Sequence, residues 1–149
     1  MKRFLILSIV LLVSCAPKEF QSTLDVLESR IEQAPDSVLS VVESIAPSKF
    51  VSRKLKARHA LLHTIALDKN YIDLKTDSII APAVKYYSRR GTANERFKTL
   101  YYRGRIFQNA GDTESALDRF IKASDLASEE VDSLAIARCY AAQGVIYFE

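Results

Sequence analysis

Two histidines, His59 and His63, stand four residues apart in the stretch LKARHALLHTIA. On a helix that spacing places both imidazoles on one face, the arrangement of a two-ligand metal clamp. Zinc needs a third or fourth ligand, and the helix-borne metalloprotease motif needs a Glu directly after the first His. Ala60 holds that place, and the protein has only 2 histidines. The pair therefore reads as two polar positions on a half-exposed helix, with no metal and no cofactor expected. There are 2 cysteines, Cys15 and Cys139. Cys139 has no neighbouring group that would hold a reactive thiolate, and it reads as a small, buried packing residue. No Gly-rich phosphate loop, Ser/His/Asp set or nucleophile elbow is present. The carboxylates are scattered as helix caps and solvated faces, so no enzymatic activity is expected.

The N-terminus carries a different chemistry. Lys2 and Arg3 precede an apolar run, Phe4 to Val13, interrupted only by Ser8. That run is too short to cross a bilayer as a helix but has the length of a secretory signal core. It leads into LVSC at 12–15, which resembles a bacterial lipobox. The resemblance implies cleavage before Cys15 and lipid on the Cys15 thiol, so that residues 1–14 are a lipoprotein signal peptide and 15–19 a short tether. An acylated Cys15 is consumed, and Cys139 then has no disulfide partner. Without Lys2 and Arg3 the formal charge falls from +3 to about +1, with 19 basic residues against 18 acidic ones. A near-neutral protein of this kind offers no charge-based case for nucleic acid.

The remaining residues must supply the elements. Apolar residues recur every three or four positions, and no sustained alternation of strand type occurs, which predicts an all-α fold. Helix one is expected over about Phe20 to Gln33, and helix two from an N-cap at Asp36 to about Ile45. Helix three runs from about Val51 to Asp68, and helix four from about Ser78 to Arg90. Pro82 requires helix four to start late, near Ile80, or to kink. Gly91 suits a left-handed stop after Arg90. Thr92 and Glu95 have the spacing of a capping box that opens helix five, to about Ala110. Gly111 and Asp112 then stop one helix and restart the next, to about Ala127. Helix seven spans about Ser133 to the end. Short connections force antiparallel neighbours.

Leu100, Arg103, Gly104 and Phe107, followed by Ala116, Phe120 and Ala123, resemble a tetratricopeptide repeat. The small residues let helices approach closely and the aromatics fill the space beside them. Leu100 stands where Trp is usual, Arg103 where Leu is usual, and Ser128 near the usual Pro. YAAQGVIY at 140–147 repeats LYYRGRIF at 100–107, with Gly144 40 residues after Gly104. That offset exceeds the family's period of about 34. LKARHALLHTIA is a more distant copy, aligned by Ala60. The resemblance implies an antiparallel helix-hairpin stack over 20–149, an α-solenoid of about seven helices, best defined over 97–127 and with its last helix unpaired.

What the resemblance implies for function is a protein- or peptide-binding scaffold. The family's first helices line a concave groove. Here that stripe is Lys98, Tyr101, Arg105 and Gln108, joined by Arg138, a set that would suit an acidic peptide or the carboxylate end of a polypeptide. Helix seven has nothing to cover it, so either the sequence is a piece of a longer protein or Val145, Tyr147 and Phe148 meet a partner. The expected location is the envelope of a Gram-negative-type bacterium, anchored through Cys15. Ala16, in place of an Asp, points to the outer membrane facing the periplasm. The alternative is the sensory N-terminal region of a membrane-spanning transcriptional regulator built on such repeats.

Overall fold

The structure is a computed structural model that describes residues 16–128 and 130–148. Residues 1–14, expected as a signal peptide, and Cys15, expected to carry lipid, lie outside the described residues. Among the described residues there are seven α-helices: α1 (Ala16–Arg30), α2 (Pro35–Ser44), α3 (Arg53–Lys69), α4 (Ala81–Arg90), α5 (Ala93–Asn109), α6 (Thr113–Ser124) and α7 (Ser133–Phe148). A 3₁₀ turn at Pro47–Lys49 links α2 to α3. No strand occurs among the described residues. Residues 16–19, expected as a tether, are the first turn of α1.

Several helix ends follow from local chemistry. Thr92 Oγ1 accepts from the Glu95 amide at 3.2 Å, and the Glu95 carboxylate accepts from the Thr92 amide at 2.8 Å. This is the expected capping box, and it satisfies two amides that the first turn would otherwise leave unpaired. Asp112 caps α6 by accepting from the Ser115 amide at 3.1 Å. α4 starts late, at Ala81, with Pro82 in its first turn, where a missing N–H removes no helical bond.

Other helix ends differ from the sequence expectation. α2 begins at Pro35 with Ala34 as its cap, and Asp36 lies in the first turn instead of at the cap. Pro35 is preorganised for the first helical position, and Asp36 still faces the positive end of the helix dipole. Gly91 is extended, with φ −81° and ψ 152°, not left-handed. Its lack of a side chain matters for space: a Cβ there would lie 3.0 Å from the Tyr87 carbonyl oxygen. The left-handed stops are Tyr71, φ 59°, and Gly111, φ 79°. Both close a Schellman motif. The Ile72 amide reaches the Leu67 carbonyl at 3.0 Å, and the Asp112 amide reaches the Phe107 carbonyl at 2.9 Å.

Ion pairs give the direction of the stack. Arg58 on α3 binds Asp25 and Glu28 on α1, each at 2.7 Å, and Lys69 at the end of α3 binds Glu32 just past α1 at 2.8 Å. Asp25 and Glu28 precede Glu32 as Arg58 precedes Lys69, so α1 and α3 run parallel, with α2 returning between them. α3 is central. It buries residues all round, from Leu55 to Leu67, against α1, α2, α4 and α5. The core has two clusters. One holds Leu24, Val42, Phe50, Leu62, Tyr87 and Ile106, and the other holds Phe97, Ala116, Phe120, Cys139 and Ile146. α5 joins them, turning Tyr102 and Ile106 to the first and Phe97, Leu100 and Phe107 to the second.

Candidate interaction surface

The crossing of α5 and α6 shows what the small residues do. A Cβ built on Gly104 would lie 2.6 Å from the ring of Phe120, which is fully buried. Only a glycine lets that ring sit flat on α5. Arg103 beside it leaves the core. Its guanidinium donates to Asp77 at 2.7 and 3.1 Å and lies 5.4 Å over the Phe107 ring, which accounts for a cation where the repeat pattern has Leu.

α7 repeats the surface of α5 without the cover. Cys139, Ala142 and Ile146 point into the second cluster. Burial pushes the Cys139 thiol up, and its Sγ donates to the Phe120 carbonyl at 3.3 Å. Gln143 donates to the same carbonyl and to Ser124 Oγ, both at 3.2 Å, and so pins α7 to α6. The face carrying Tyr140, Gly144 and Tyr147 has no described helix over it. A Cβ on Gly144 meets nothing within 4 Å, and Tyr140 and Tyr147 stay 54% and 67% exposed. Phe148 is exposed beside them.

The stripe predicted as a groove is assembled in part. Tyr101, Arg105 and Gln108 share one side of α5, and Arg138 approaches from α7. Tyr101 is half-buried, and its ring stacks on Phe97 at 6.4 Å. Burial pushes its phenol up, while Arg105 and Arg138 oppose the shift. Two carboxylates missed from the sequence enter here. Asp68 accepts from Arg105 at 3.1 Å, and Gln108 accepts from the same guanidinium at 2.8 Å. Glu32 lies 3.7 Å from Arg138. The stripe is therefore of mixed charge, not simply cationic. Asp68 and Glu32 come from the ends of other elements, and no local pattern marked them. Lys98 is one turn before Tyr101 and forms no ion pair among the described residues. Beneath Arg105, a crevice of about 10 Å³ between α3 and α5 is lined by Thr64, Asp68 and Tyr102. It has room for about one water.

Of the two histidines expected on a half-exposed helix, His63 is half-buried and His59 is buried. His59 is 4% exposed, and its Nε2 lies 3.0 Å from the Val42 carbonyl. A carbonyl only accepts, so Nε2 carries the proton and is closed to a metal. Burial holds both imidazoles below their ordinary value, and Glu43, 3.7 Å from His63, opposes this only in part. Among the described residues, no group of three or more His, Cys, Asp or Glu side chains is placed to hold a metal ion.

The protein matches no family model, no curated protein and no solved structure. Its functional reading therefore rests on its own geometry. No helix among the described residues is long and apolar enough to cross a membrane.

Proposed function

We propose that this protein is a lipoprotein, anchored in a bacterial envelope membrane through lipid on Cys15, whose tetratricopeptide-like stack binds another protein or peptide in the periplasm. The observation that carries the binding half is the contrast between two glycines. Gly104 and Gly144 hold matching places in the repeated segments. Phe120 of α6 fills the niche at Gly104, and the niche at Gly144 is open and flanked by Tyr140 and Tyr147. A partner helix carrying an aromatic side chain would sit on α7 as α6 sits on α5. The mixed-charge stripe of Lys98, Tyr101, Arg105, Gln108 and Arg138 is the second contact surface on this reading. The anchoring half is supported by the charged and apolar segment that runs into LVSC.

The same open face supports one other reading, in which a later helix of a longer regulator covers α7. Both are tested by placing a photoreactive phenylalanine analogue at Tyr147 in living cells, with Tyr71, 93% exposed and outside this face, as control. A discrete crosslink from Tyr147 to a second envelope protein, absent from Tyr71, is expected. Crosslinks within one longer polypeptide would favour the regulator. Equal, diffuse crosslinking at both positions would overturn the binding face.

A further inference from the structure

A cleft lies away from both surfaces, where the start of α3 meets the end of α4. It encloses about 580 Å³. Five cations line it, Arg53, Lys56, Lys85, Arg89 and Arg90, around the half-buried ring of Tyr86, and no carboxylate lines it. None of the five forms an ion pair among the described residues, as is also true of Lys98, Arg96 and several other surface cations; what marks the cleft is that five of them are gathered there with no carboxylate in its lining. In a protein with nearly as many acids as bases, that segregation is a local property of this cleft. Like charges held together repel one another, and the arrangement is relieved when an anion enters.

The position of the cleft selects the anion. Phe20 of α1 packs edge-on against Phe50, with ring centroids 5.2 Å apart, and Phe50 is three residues before Arg53. Cys15 is five residues before Phe20, so the intervening backbone holds it within about 18 Å of residue 20. The cationic cleft therefore lies at the end of the molecule where α1 starts, the end from which the sequence leads back to Cys15. We propose that this cleft seats the phosphorylated headgroups of anionic phospholipids in the membrane that holds Cys15. Arginine guanidinium groups fit phosphate oxygens in paired hydrogen bonds, and the flanking lysines add point charge. The anchor would then hold the stack in one orientation, where a lipid alone would leave it free to swing.

The inference rests on Cys15 as the anchor, and its test is built to fail separately. The mature polypeptide, residues 15–149, made with Cys15→Ser carries neither the lipid nor the apolar segment 4–13 and keeps the cleft. Its partition onto phosphatidylcholine vesicles, with and without phosphatidylglycerol, is compared with that of the same protein also carrying R53Q, K56Q, R89Q and R90Q. Loss of about fivefold per cation is expected, roughly several hundredfold for the four, on the anionic vesicles only. All four side chains are exposed, and matched circular dichroism checks the fold. The pair R89K and R90K, which keeps the charge, should retain binding. Equal binding by the glutamine variant would overturn the proposal. So would tight, saturable binding of inorganic phosphate or glycerol phosphate that gains nothing from the vesicle, since the site would then serve a free anion. Absence of lipid on native Cys15 would strike the anchor and leave this vesicle result standing.

Discussion

One methyl group added at Gly104 and at Gly144 should act in opposite directions. At Gly104 the new Cβ meets the ring of Phe120, which is fully buried and has no room to retreat. Overpacking of this kind costs about 1–3 kcal/mol and outweighs the better helix propensity of Ala. Gly144→Ala meets nothing within 4 Å, and should stabilise the isolated protein by about 0.5–1 kcal/mol. Urea unfolding of the two variants measures both. Tyr71 holds a left-handed backbone that favours glycine, and its side chain is 93% exposed. Tyr71→Gly should therefore raise stability by about 1 kcal/mol, read as a higher urea midpoint. The histidines set a pH dependence. Burial lowers both imidazoles, so near and below pH 6.5 the unfolded state binds more protons than the folded one. Stability is then full above that pH and falls as the solution is acidified. The melting temperature should drop between pH 7 and pH 5, and H59Q should flatten that drop even where it lowers stability overall. An unchanged slope in H59Q would contradict the buried, neutral His59.

At the scale of the element, what the sequence made legible was local. The Thr92–Glu95 box, the Asp112 restart and the late start of α4 depend on a few adjacent residues, and each was readable from spacing and residue type. The close crossing at Gly104 was readable because a small residue and an aromatic recur at helical intervals. Other features are set by residues distant in sequence. α3 is covered on every side, so its apolar face has no edge, and His59 looks half-exposed from the sequence when it is buried. A left-handed end at Tyr71 carries no glycine to mark it. The cationic cleft unites residues 53–56 with 85–90, which become neighbours only when the α3–α4 hairpin closes. Asp68 and Glu32 enter the stripe in the same way. The open face of α7 was legible: its copy of the α5 pattern and its lack of a covering helix were both expected, and no described helix lies over Gly144. Tyr147→Asp would place a charge on that face and should abolish binding of the crosslinked partner while leaving the melting temperature within about 2 °C, since surface changes seldom exceed about 0.5 kcal/mol.

At the scale of the whole molecule, charge and apolar surface are separated. The end near the start of α1 carries the five-cation cleft, and the face of α7 carries exposed Tyr140, Tyr147 and Phe148. On the proposed function, one surface faces anionic headgroups and the other is presented to a partner. Ion pairs along α1 and α3 hold the first hairpins in register, and Gln143 holds the last helix to the stack. Lipid on Cys15 is the claim that gives both surfaces their orientation, because several acyl groups on one residue hold a protein at a membrane far longer than one does. The intact mass of the native protein, extracted from its own membranes, tests this most directly. A polypeptide beginning at Cys15 and heavier than its sequence by several acyl groups is the expected result. A polypeptide in which Cys15 is unmodified, or is still preceded by residues 1–14, would contradict it.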